Sequence, residues 1–255
     1  MYLPDIIFRK SPPLASISMN RPETKNAFTS EMMDSICQAL EQAKADPDVK
    51  VIILTGEGGA FSTGGNVKEM AEGKYTSWDM KNFLWDHLQR VPLLLEDVDK
   101  PVIAAIDGPA YGGGFDMTLA CDLRIASERA ILSSTFVRIG LAPGDGGAFF
   151  LTRIVGLSKA LDIHLSGRVI KMDEASSLGL VDKVLPVEGF SELVREYALE
   201  IAQWPLPSLR AVKRAVYQGL KSDLRGHLDY ISSQLALLSQ TEEHRKAVKK
   251  ILQGK

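Results

Sequence analysis

The residues in this chain best suited to chemistry are glycines. Three glycine-rich segments interrupt it, Gly56 to Gly65, Gly108 to Gly114 and Gly140 to Gly147. A glycine lets the backbone take a positive φ and lets a ligand atom reach a peptide N–H with no Cβ in the way. Gly112-Gly113-Gly114 follows the apolar run Pro101 to Ile106 and precedes a helical pattern, so its N–H groups point outward at the positive end of a helix. Two such turns facing each other would aim two donors at one oxygen, which is an oxyanion hole. The same glycines would also serve as plain tight turns. The familiar nucleotide and hydrolase motifs are missing: there is no GxxxxGK[ST], no third glycine to complete GxGxxG, no GxSxG and no HExxH. His87, His164, His227 and His244 are read as core or surface residues.

The elements that must position these turns are legible in outline. Leu14 to Met19, Val51 to Thr55, Pro101 to Ile106 and Leu123 to Ala126 read as strands. Ser30 to Ala45 carries apolar residues at helical spacing and is stopped by Asp46-Pro47-Asp48, and Phe115 to Cys121 reads as a short helix. Strand, glycine turn and helix recur, and fully apolar strands alternating with helices favour an α/β sheet covered by helices. From about Ser191 to Lys255 only helical patterns remain, with apolar stripes over Ser208 to Leu220 and Leu228 to Leu238 and a charged stretch from Thr241. The expected division is a core over residues 1–190 and a helical region over 191–255.

Composition excludes several classes. With 255 residues, 45% hydrophobic and 24% charged, the chain is a globular protein and not a disordered or fibrous one. A formal charge of −2 argues against electrostatic binding to nucleic acid or a membrane surface. Cys37 and Cys121 build no disulfide framework, no Cys/His cluster suggests a metal, and neither a signal peptide nor a bilayer-spanning run is visible. A cytoplasmic location is the expectation.

Several segments in order carry a resemblance: Arg21 to Phe28 (RPETKNAF), Gly59 to Asn66 (GAFSTGGN), Lys100 to Gly108 (KPVIAAIDG) running into Tyr111-Gly-Gly-Gly114, Cys121 to Arg124, and Gly140 to Gly147 (GLAPGDGG). They resemble the crotonase superfamily, the enoyl-CoA hydratase/isomerase family, over most of residues 5 to 190. The resemblance implies a spiral of ββα units followed by helices that form a homotrimer or a dimer of trimers. It implies an acyl-CoA substrate, with no metal or redox cofactor, because CoA arrives as part of the substrate. It also implies that the N–H groups of Gly65 and Gly113 stabilise a thioester enolate. CoA-binding candidates by the same carry-over are Lys25, Ala27, Thr63, Gly64 and Asn66, with Tyr111 and Phe136 beside them.

The chain departs from the family at its acids. A hydratase of this family carries two glutamates. Asp116 stands at the first position, one methylene shorter, and Phe136 at the second, where no proton can be held. Asp145, in Pro143 to Gly147 (PGDGG), is the candidate replacement, although a Gly-flanked aspartate also suits an Asx turn. An enoyl-CoA hydratase is therefore the leading expectation. A double-bond isomerase, a C–C hydrolase of a β-dicarbonyl substrate and a non-catalytic CoA-binding scaffold are the rivals.

Overall fold

A computed structural model describes residues 3–73 and 76–253, with the backbone alone at Glu69. In chain order, β1 (Ile6–Ser11) and β2 (Leu14–Met19) precede α1 (Ser30–Ala45) and β3 (Val51–Gly56). Next come α2 (Val67–Ala71), α3 (Ser77–Phe83), a π-helical turn (Leu84–Leu88) and α4 (Arg90–Asp97). The central stretch contains β4 (Val102–Ile106), β5 (Pro109–Tyr111), α5 (Gly113–Ala120), β6 (Leu123–Ser127) and β7 (Ile131–Ser133). A 3-10 helix (Thr135–Ile139) leads to α6 (Gly147–Val155), α7 (Leu157–Ser166), β8 (Ile170–Lys171), α8 (Met172–Ser177) and β9 (Lys183–Leu185). The chain ends in α9 (Phe190–Ala202), α10 (Leu206–Gly219), α11 (Leu224–Ser239) and α12 (Glu242–Leu252). The last two residues of the charged C-terminal stretch lie outside the described residues.

Six strands form one sheet in the order β1-β2-β3-β4-β6-β9, parallel except for the β1/β2 hairpin. A smaller sheet has the order β5-β7-β8. Side chains alternate across each strand, so the apolar central strands feed two cores. Ile52, Leu54, Val102 and Ala104 face a cluster filled by Met33, Ile36 and Leu40 of α1. Val51, Ile53, Ile103 and Ala105 face the other way, onto Phe190, Val194 and Ala198 of α9. The all-helical stretch thus begins with a helix that closes the sheet's second face. Sequence periodicity marks α1 residue for residue, and Thr29 caps it by accepting the Met32 N–H at 3.0 Å.

Farther along, α10 is tied down by a charge. The buried Lys213 ammonium donates to the Leu95 and Lys100 carbonyls, each at 3.1 Å, and to Asp122 Oδ2 at 2.7 Å. Tyr217 donates to Asp122 Oδ1 at 2.9 Å. Among the described residues no helix is long and apolar enough to cross a membrane.

Candidate active site

Two of the three glycine turns meet, backbone against backbone. Ser62 forms a bridge with Ala110 of β5, accepts the Tyr111 N–H at 2.9 Å and donates its N–H to the Pro109 carbonyl at 3.2 Å. A Cβ on Gly64 would stand 2.5 Å from Gly113 N, and one on Gly114 would stand 2.2 Å from Ser62 O. No side chain fits between these turns, which is why both are written in glycine. The N–H groups of Gly65 and Gly113 enter no hydrogen bond among the described residues. Gly113 is the first residue of α5, so its N–H lies at the positive end of that helix.

The Arg21 to Phe28 segment locks the first turn in place. Asn26 is fully buried in the left-handed region, at φ 56°. Its Nδ2 donates to Glu57 O and Ala60 O, both at 2.9 Å, and its Oδ1 accepts the Arg21 N–H at 2.8 Å. Ser62 Oγ donates to Asn26 O at 2.7 Å and accepts the Gly64 N–H at 3.0 Å. The Phe28 N–H reaches Gly64 O at 2.8 Å, and the Thr63 N–H reaches Lys25 O at 3.1 Å. Sequence reasoning gave Asn26 and Ser62 no role. Both are buried polar residues beside glycines, and a side chain that must satisfy a strained turn is the signal that could have marked them.

Each candidate residue has a definite place. Ala27 is buried, its carbonyl accepting Arg21 Nη1 at 3.2 Å. Lys25 is exposed, Asn66 precedes α2, and Tyr111 ends β5 with its phenol pushed up by burial. Phe136 is half-buried, with its ring 3.9 Å from the position a Cβ on Gly112 would take. Trp78 and Trp85 are 64% and 66% exposed, whereas Met80, Phe83 and His87 from the same stretch line a cavity at Gly65. Leu84 packs against Gly144 in the aspartate-bearing loop.

The acids lie on α5 and in the loop before α6. Asp116, on α5, is completely buried; its Oδ2 accepts the Gly147 N–H at 3.1 Å and its Oδ1 has no partner. Asp145 is 8% exposed, and its Oδ1 is likewise unpartnered. Its Oδ2 lies 2.5 Å from where a Cβ on Gly113 would stand, so this carboxyl sits against the first residue of α5. Burial pushes Asp145 up to about 6. Burial, and then the Asp145 charge, pushes Asp116 well above the carboxylate range. Both carboxyls therefore hold a proton more tightly than an exposed aspartate, Asp116 the more so. Behind them, Ser134 Oγ lies 2.7 Å from His164 Nδ1, and burial holds that imidazole below its ordinary value.

Two glycine N–H donors and two buried carboxyls of raised proton affinity make an arrangement able to hold an enolate and move protons around it. Comparison with known proteins points the same way. The family model described as enoyl-CoA hydratase/isomerase matches residues 9–253. The chain belongs to the enoyl-CoA hydratase/isomerase family. A short-chain-enoyl-CoA hydratase of Clostridium acetobutylicum is 31% identical over 249 residues, covering 97% of this chain and 94% of that one. A mitochondrial enoyl-CoA hydratase of Pongo abelii is 39% identical over 188 residues, which is 73% of this chain and 62% of that protein. The crystal structure of an enoyl-CoA hydratase from Bacillus anthracis superposes with a TM-score of 0.94 at 30% identity, covering 98% and 97% of the two chains. The α/β architecture is that of the crotonase fold.

Proposed function

We propose that the chain is an enoyl-CoA hydratase in which Asp145 replaces the acid missing at Phe136. The observation that carries this reading is the buried Asp116–Asp145 pair, each with an unpartnered oxygen, beside the free Gly113 N–H. A thioester carbonyl accepts hydrogen bonds from Gly65 and Gly113. The charged Asp145 takes a proton from water as its oxygen bonds to Cβ. Electrons move through Cα onto the thioester oxygen, where the two donors stabilise the developing charge. Asp116 then gives its proton to Cα, and the pair has exchanged which member is protonated. CoA leads outward past the Thr63–Asn66 turn, with the exposed Lys25 as the nearby cation for a phosphate.

The exposed Val212 and Val216 of α10 and Leu220 just beyond it border an apolar cavity of about 550 Å³ that also touches α5 and α6. This surface supports self-association, with a homotrimer or a dimer of trimers as the expected state. Incubation with enoyl-CoA thioesters in H₂¹⁸O tests the reaction. A product heavier by one labelled water is the expected result; an unchanged mass with a moved double bond would make the enzyme an isomerase.

A further inference from the structure

The cavity beside Gly65 contains polar groups that hydration leaves unused. It encloses about 520 Å³ between the start of α1, α2, α3 and the π-helical turn. Phe28, Met80 and Phe83 give it an apolar wall, while Glu31, Asp86 and His87 give it a polar one. No Lys or Arg lines it among the described residues. The carboxylates of such a wall disfavour the polyanionic CoA half of a thioester, so of the two halves the acyl group suits this cavity better.

His87 is oriented within this wall. Its Nδ1 lies 3.1 and 3.2 Å from the two carboxylate oxygens of Asp34. Asp34 is fixed in turn by Arg90, whose Nη1 donates at 2.9 Å. A carboxylate only accepts, so the neutral ring must carry its proton on Nδ1 and leave Nε2 as an acceptor. No hydrogen bond engages that second nitrogen among the described residues. Glu31 and Asp86 are acceptors too. Thr29, Ser30, Asn66 and Asn82 on the same wall can both donate and accept, so the groups that only accept, His87 Nε2 and the carboxylates of Glu31, Asp79 and Asp86, give the cavity an excess of acceptors.

We propose that His87, oriented by Asp34, selects acyl groups bearing a hydrogen-bond donor, a hydroxyl or an ammonium, remote from the thioester. The inference rests on the acyl-CoA reading of the same site. A methyl-ended chain desolvates Nε2 and pairs it with nothing, and a carboxylate-ended chain meets Glu31 and Asp86 with like charge. Asp34 acts as a positioning residue, because it sets which nitrogen carries the proton.

Calorimetric binding of unreactive saturated thioesters to the full-length protein at pH 8 tests this without requiring turnover. The panel is hexanoyl-, 6-hydroxyhexanoyl-, 6-aminohexanoyl- and adipoyl-CoA, with the 4-hydroxy isomer to vary the position. The hydroxyl or ammonium ligand is expected to bind about tenfold tighter than hexanoyl-CoA, the two arms identifying which donor is preferred, and adipoyl-CoA to bind weakest. His87→Leu should abolish that preference. In Asp34→Asn the amide can donate to Nδ1, so the proton moves to Nε2. The ¹⁵N shifts of the imidazole should then exchange and the preference turn toward acceptor-ended chains. Hexanoyl-CoA binding as tightly as every donor-bearing ligand, or adipoyl-CoA binding tightest, overturns the proposal while leaving the thioester reading intact. Binding of none of these thioesters would overturn both.

Discussion

The two halves of the candidate site are made of different material. The donor half is backbone: two glycine turns whose own hydrogen bonds to Asn26, Ser62 and Pro109 leave two N–H groups over. The acid half is side chain: Asp116 on a helix and Asp145 on a loop, with proton affinities set by burial and, for Asp116, also by the Asp145 charge. A backbone donor has no pKa to tune and depends only on where the chain runs. A buried carboxyl depends on every neighbour. The consequences of mutation should differ accordingly.

The largest effect is expected from Asp116→Asn. Asparagine retains an oxygen for the Gly147 N–H but cannot deliver the proton that Cα needs. Turnover should fall on the order of 10³ in single-turnover kinetics, with the thioester still bound. A loss confined to KM would move Asp116 out of the acid half altogether.

Gly113→Ala should come next, and it couples the halves. The N–H survives, yet the new Cβ would stand 2.5 Å from Asp145 Oδ2 and 2.9 Å from Phe28 Cε2. The carboxylate must move, so the loss is expected on the order of 10², comparable to removing an oxyanion donor outright. Retention of activity would show that Asp145 has room to shift and does no chemistry from its present position.

Asp145 also gives the acid half a pH signature. The base must be charged, so the rate should fall about tenfold per pH unit as pH drops below about 6, a limb that Asp145→Asn removes. The stability effect has the opposite sign. The folded protein holds this proton to about pH 6, whereas an unfolded chain releases it near about 4. Folded molecules bind more protons across that window, so stability declines as pH rises through it and stays reduced above it, by about 3 kcal/mol. Asp145→Asn should therefore raise Tm at pH 8 relative to wild type but not at pH 4, and its residual turnover should be flat where the wild-type limb falls.

How much of this was legible in the sequence follows the same division. Runs such as Val51 to Thr55 and Pro101 to Ile106 announce strands buried on both faces, and α1 announces itself by its stripe and its Asp-Pro stop. The glycine turns announce a close backbone approach, although not which turns meet. Two- and three-residue strands such as β8 and β9 are too short for any period to show. The polar side chains are the least legible. Nothing local says that Asn26 will satisfy a turn more than thirty residues away, or that Asp34 will pair with His87 from a different helix. Those pairings exist only once the sheet and α1 have been assembled.

The smallest effect is expected from Gly65→Ala, and it tests the donor half from within. Gly65 is named as a donor, yet nothing requires it to be glycine: its φ is not in the left-handed region, and an added Cβ would meet only the mobile end of Met70, at 2.6 Å from Cε. Its neighbour is the opposite case. Gly64 has φ +74° and no room for a Cβ beside Gly113 N, yet its own N–H is already taken by Ser62. The functional N–H and the conformational need for glycine thus fall on adjacent residues. Gly65→Ala should lower kcat/KM by less than about tenfold, while Gly64→Ala should cost at least an order of magnitude more by pushing the second turn away from the first. Equal losses in the two variants would mean that the turn yields as a unit, and that its hydrogen bonds, not the steric fit of its glycines, fix where the donors point.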